Sequence, residues 1–154
     1  MVLRLSELDP AEAKHLGAIK CPSFAGRPFV PPKPLDQRRV AIVSTAGLQR
    51  RGERGFAHGD GDYRVIPVDT PAADIVMSHV SVNFDRTGFQ QDINVVFPID
   101  RMKELADAKV IGGLASYHYS FMGAMEPQAA EPAARALARL LHKDAVDTVL
   151  LVPV

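Results

Sequence analysis

The chain's final stretch, Asp144–Val154 (DAVDTVLLVPV), limits the possible folds more than any other segment. Thr148–Val154 is almost wholly β-branched or leucine, the composition of a strand covered on both faces of a parallel sheet. It follows at once on the clearest helical pattern in the chain. From Pro132, Leu137, Leu140 and Leu141 share one face, while Arg135, Arg139 and His142 share the other. The cations gather toward the end, where they complement the helix dipole.

A second strand of the same kind opens the core. In RRVAIVSTAG (Arg38–Gly47), charges lead into the apolar run Val40–Val43, then small polar residues and a glycine. Central parallel strands end in this way at ligand-facing loops. Gln49–Tyr63 is glycine-rich, charged and aperiodic, and reads as a surface loop. Tyr63–Val68 and Ala73–Val82 read as further strands, and Asn94–Pro98 as a brief extended piece. Pro98 fits a first-turn position, and Met102, Leu105 and Ala106 then recur at helical spacing within Ile99–Ala108. Ile111–Leu114 reads as a short strand. Strand and helix alternate, so the predicted fold class is α/β, a single three-layer domain with a mostly parallel sheet.

Residues 1–37 are set apart as an N-terminal arm, with residues 38–154 as the domain. The arm holds a short helix over Asp9–Ile19 and a proline cluster, Arg27–Leu35, which favours extended chain. Phe24, Phe29 and Val30 between the prolines suggest that the arm packs over the domain. A partner-binding polyproline ligand is the competing reading.

A chain of 154 residues can bury one core, and 47% hydrophobic against 23% charged residues is ordinary for a globular protein. Eighteen Lys and Arg balance eighteen Asp and Glu, which gives no basis for binding nucleic acid or an anionic membrane. The longest apolar run is roughly a third of a bilayer span, and the first residues lack a signal peptide's apolar core. The expected location is the cytoplasm. Cys21 is the single cysteine, so no internal disulfide can form and no cysteine cluster can hold a metal.

Three segments at or beyond expected strand ends carry polar residues suited to a site. Ser44–Leu48 (STAGL) offers two hydroxyls and a glycine whose backbone N–H groups can cradle a small anion, though a plain turn explains it equally well. Ser78–Asn94 packs Ser78, His79, Asn83, Asp85, Arg86, Asp92 and Asn94 into a short span. A lone histidine there is more often a satisfied structural residue than a base. In Ala115–Met125, read as a loop, His118 stands between two tyrosines with Ser116 and Ser120. HGDGD (His58–Asp62) has no paired-histidine motif behind it, and Cys21 has no neighbour that would lower its pKa. No metal site is expected. These residues form a binding rim without a reactive centre of their own.

The motifs RVAIVSTAGL, YRVIP, SHVSVNFD, DINVVFPIDR, IGGLA and HYSFMG, in that order, resemble the selenoprotein B family of glycine, sarcosine, betaine and D-proline reductases. The similarity runs from about Arg38 to the last residue. It implies that a strand like DTVLLVPV leads into a redox motif of selenocysteine or cysteine, then another cysteine and a helix. The expectation is that the reactive residue directly follows Val154, that UGA there was read as a stop, and that this chain lacks the C-terminal helix and strand portion and is inactive as it stands. The resemblance further implies reductive cleavage of a carbon–heteroatom bond in a small-molecule substrate. It also implies a partner reductase subunit, which can carry a pyruvoyl group, and an external thiol reductant. Thr45, His79, Asp92 and His118 are the candidate substrate-binding residues, chosen by rim position. Two other classes compete: a small-molecule-binding or regulatory α/β domain without redox chemistry, and a structural subunit whose open strand pairs with a partner.

Overall fold

The computed structural model describes residues 4–20, 23, 26, 29–81 and 86–154. Helix α1 (Pro10–Ala18) starts where Asp9 accepts the Ala11 N–H at 2.9 Å, with proline in its first turn. There follow strands β1 (Arg39–Ser44), β2 (Leu48–Arg50), β3 (Tyr63–Pro67) and β4 (Ile75–Met77), then helices α2 (Thr87–Gln91) and α3 (Ile99–Asp107). The chain continues through β5 (Gly113–Leu114), β6 (Tyr117–Phe121), α4 (Pro127–Lys143) and β7 (Thr148–Val152).

Strand β1 is the axis of the main sheet. One edge pairs in parallel with β7, from Val40↔Thr148 to Ser44↔Val152. The other edge meets β5 through Arg39↔Gly113 and Val40↔Leu114, then β6 through Val43↔Tyr119 and Ser44↔Ser120, both parallel. Strand β3 closes that side, antiparallel to β6. β2 and β4 form a separate antiparallel pair that branches off beyond the end of β1.

Alternation along β1 builds a core on each face. Val40 and Ile42 join Ile66, Phe97, Ile99 and Met102 on the α3 side. Val43 joins Tyr119, Phe121 and Leu137 on the α4 side. Each such side chain contributes roughly 1.5–3 kcal/mol by leaving water. The result is the predicted α/β domain with a mostly parallel sheet between helical layers.

Several local expectations give way to tertiary context. Ala115–Met125 is no loop: β6 occupies its centre, because Ser120 and His118 use their polar atoms to bind neighbouring backbone. Within the described part of the expected Ala73–Val82 strand, Ile75–Met77 is the paired stretch, and Val82 lies outside the described residues. Ser78 instead turns its hydroxyl to Gln49 and to the Phe56 N–H. Asn94–Pro98 is not extended, since Asp92 caps a 3-10 turn over Ile93–Val95. Helix α4 begins at Pro127 rather than Pro132, whose missing N–H falls on an exposed face. Strand β7 is covered on one face only: Leu150 and Val152 pack on the core, while Leu151 is 70% exposed. In the arm, Phe29 and Val30 are 90% and 75% exposed, and Phe24 lies outside the described residues. Among the described residues no helix is long and apolar enough to cross a membrane.

Candidate functional site

The carboxyl ends of β1, β6 and β7 point the same way and converge. Just past β1, the Thr45 N–H donates to the Val152 carbonyl at 3.0 Å. The Val154 N–H donates to Thr45 Oγ1 at 2.8 Å, and that hydroxyl lies 3.2 Å from the Val154 carbonyl oxygen, to which it donates. The Gly123 N–H donates to the Thr45 carbonyl at 2.8 Å, and the Gly47 N–H to Phe121 at 2.9 Å. Three strand ends are thereby tied into one rim.

His79 enters this rim between two glycines. Gly47 has φ +67°, and a Cβ on it would stand 2.9 Å from the backbone N and Cα of His79. A Cβ on Gly123 would meet the Val154 carbonyl oxygen at 2.8 Å, the Thr45 carbonyl oxygen at 3.1 Å and His79 Nε2 at 3.2 Å. Only glycine allows backbone this close, so both positions are set by packing, and Gly47 by its conformation as well. The imidazole is buried, and its Nδ1 accepts the Ser81 N–H at 3.1 Å, which places its proton on Nε2. Burial first, and then the nearby Arg86 charge, lower its pKa. Arg86 also donates to the His79 carbonyl at 2.6 Å.

Of the four residues expected to bind substrate, the structure brings Thr45 and His79 together. His118 lies inside the sheet, wholly buried, with Nδ1 accepting the Ile42 N–H at 3.0 Å and its ring edge-on to Phe97. Burial lowers its pKa to about 4, so the ring is neutral. Asp92 is occupied as a cap: its Oδ1 accepts the Asn94 N–H and side-chain amide, and these bonds hold its pKa low. It opens onto a different cavity, of about 440 Å³, beside Ile75 and Phe89. The Asn83, Asp85 and Cys21 candidates lie outside the described residues. Asp60 and Asp62 pair with Arg54 and Arg64, and among the described residues no three His, Cys, Asp or Glu cluster as metal ligands. Sequence reasoning passed over Gly123 and the second function of Gly47. The signal was the glycine closing both STAG and SFMG, each just past a strand.

Chemically, the rim presents a threonine hydroxyl and a neutral imidazole N–H at the end of a parallel sheet, where α/β domains gather their sites. The imidazole N–H can favour an anionic nucleophile and hand on a proton, while the threonine hydroxyl is already donated to the Val154 carbonyl. This is the architecture of an α/β domain that supports chemistry at strand ends. The chain belongs to the glycine/sarcosine/betaine reductase selenoprotein B family, whose model matches residues 19–154. It is 36% identical over 134 residues to the D-proline reductase subunit gamma of Acetoanaerobium sticklandii, covering 80% of this chain and 54% of that one. It is 33% identical over 139 residues to the glycine reductase complex component B subunit gamma of Symbiobacterium thermophilum, covering 84% of this chain and 32% of that one. Similarity to the sarcosine reductase complex component B subunit beta of Peptoclostridium acidaminophilum is 34% over 103 residues, or 61% and 23% of the two chains. The chain thus spans about half the length of the first of these relatives and a third or less of the others. No solved structure matches it.

Proposed function

We propose that this chain forms an α/β portion of a reductase subunit that cleaves a carbon–heteroatom bond in a small amino acid or related compound, and that the reactive residue follows Val154. Support comes from the family and from one observation: Val154 lies inside the Thr45–Gly123–His79 cluster. A selenol or thiol there would supply two-electron nucleophilic reduction, restored by a neighbouring cysteine and an external dithiol.

The chain's own residues have separable tasks in this reading. Thr45 fixes the backbone leading to the reactive residue. His79 presents its Nε2 proton toward that backbone, suited to stabilising an anion or protonating a leaving group. Gly47 and Gly123 let the three segments close to contact. His118 and Asp92 position the scaffold: one completes the sheet beneath the rim, the other caps the turn whose Val96 carbonyl accepts from Ser44 Oγ at 2.8 Å. The exposed Leu151 and Val149 side chains on β7 suit burial against the rest of a multi-subunit reductase.

The gene tests the placement directly. The expected sequence after the Val154 codon is UGA or a cysteine codon, followed in frame by a further cysteine codon. A UAA or UAG codon there, or UGA without a cysteine-containing continuation, would overturn it.

A further inference from the structure

At the opposite end of the sheet from the rim lies a cavity of about 350 Å³, lined by Val65, Tyr117, Tyr119, Leu140, Lys143 and Asp144. Its walls come from β3, β6 and the last turn of α4. Tyr117 and Tyr119, two residues apart on β6, share one face. Leu140, which the helical pattern assigns to the core face, is 39% exposed because it borders this space.

The inventory of hydrogen-bonding groups decides what the cavity suits. Asp144 supplies the only carboxylate in the lining, and its oxygens are already engaged. Arg39 Nη2 donates to it at 2.7 Å, the Ser116 N–H at 2.6 Å, the Ser116 hydroxyl at 3.0 Å and the Tyr117 N–H at 3.4 Å. Burial pushes the Asp144 carboxyl up, but these bonds and the guanidinium charge outweigh it and hold it ionised and neutralised. The Leu140, Leu141 and His142 carbonyls near the end of α4 are engaged too, by the N–H groups of Asp144, Val146 and Ala145. On the donor side, Lys143 has no ion pair and the two tyrosine hydroxyls have no hydrogen bond among the described residues. With Arg39 and Asp144 cancelling, the lining keeps one net positive charge, Lys143, over an apolar and aromatic floor.

We propose that this cavity is a second ligand site, independent of the rim, for a small organic carboxylate with a branched or cyclic apolar body. The carboxylate pairs with Lys143 and the tyrosine hydroxyls, and the apolar body rests on Val65, Leu140 and the tyrosine rings.

The chain offers a built-in probe. It has no tryptophan, and its three tyrosines are the two lining residues and Tyr63, whose ring lies 5.6 Å from that of Tyr119. Tyrosine emission of the purified chain is titrated with cyclohexylacetate, cyclohexylethylamine and cyclohexylethanol, which share one apolar body and differ in charge. The expected result is saturable binding of the carboxylate ahead of the alcohol and the amine. Lys143→Met weakens it about five-fold, and Tyr117→Phe about three-fold. Circular dichroism confirms that both variants fold. Absence of saturation, amine binding equal to the carboxylate, or unchanged affinity in folded Lys143→Met would each overturn the proposal.

Discussion

The backbone N–H of Ile42, in the middle of the central strand, donates to Nδ1 of His118 at 3.0 Å instead of to a strand carbonyl. β5 and β6 meet β1 above and below this point, and the imidazole fills the gap between them. Its acceptor nitrogen must stay unprotonated. His118 has an ordinary value of 6.5 lowered to about 4 by burial, so the unfolded chain binds its proton first as pH falls. The stabilisation is complete above pH 6.5 and is lost as pH falls through that window toward 4, a change of roughly 3 kcal/mol. Urea midpoints measured across this range should fall steeply in the wild type. His118→Asn, whose amide oxygen can take the place of Nδ1, should flatten the slope and leave a smaller part contributed by His79. An unchanged slope in that variant would remove His118 as the cause.

The rim makes a different prediction, because its glycines are fixed by contact. Gly47→Ala adds a Cβ at 2.9 Å from the His79 backbone and forces a side chain into a positive-φ conformation. The expected loss is about 2–3 kcal/mol, measured by chemical denaturation. Gly123→Ala meets the Val154 carbonyl at 2.8 Å and should displace the end of the chain more than the sheet. Its signature is amide shifts at Thr45, His79 and Val154 with little change in the core.

Thr45 differs from the two glycines in adding a side-chain hydroxyl to the bonds of its backbone. Thr45→Val keeps the shape but removes the partner of the Val154 N–H, and should cost about 1 kcal/mol. Hydrogen exchange at Val154 should quicken at the same time. Thr45→Ser restores the oxygen and should restore the protection. In a full-length subunit, the Thr45→Val change is expected to lower turnover more than substrate affinity, because it loosens the reactive residue's support.

Ala145 and Lys109 end α4 and α3 in the same manner, each with a left-handed residue just past the helix, φ +53° and +57°. After α4, the Ala145 N–H reaches the His142 carbonyl and the Val146 N–H the Leu141 carbonyl, the closing pair that glycine ordinarily serves. Ala145→Gly should therefore stabilise the chain by up to about 1 kcal/mol. Thermal melting would show it as a higher midpoint at unchanged helix content.

These contacts explain which parts of the structure were legible beforehand. β1, α3 and α4 declare themselves because apolar spacing matches one period and nothing competes with it. β6 escaped because Tyr-His-Tyr-Ser looks like rim chemistry, whereas in the fold His118 and Ser120 bond the backbone of Ile42 and Leu48. Only the neighbouring strands reveal that. Of the two site residues that meet, Thr45 was visible as a polar residue beyond an apolar strand and His79 as a polar residue inside an expected one. Asp92 carried the same signal but is occupied by its own turn, a local bond that competes with any distant task. Gly123 holds the centre of the rim through a missing side chain, and contact of that kind cannot be read from residue type.

β7 supplies the last prediction. It is an edge strand: one side pairs with β1, and among the described strands none pairs with the other. Leu151 and Val149 stand on its uncovered face beside that open edge. An apolar edge of this kind recruits other strands unless a charge blocks it. The isolated chain should therefore self-associate as its concentration rises, with the apparent mass followed by light scattering. Leu151→Lys places a charge on the exposed face without disturbing Leu150 or Val152 beneath, so stability should change by no more than about 0.5 kcal/mol. Association should weaken sharply. If the variant associates like the wild type, this face is not the contact, and its proposed burial against other subunits loses its main physical support.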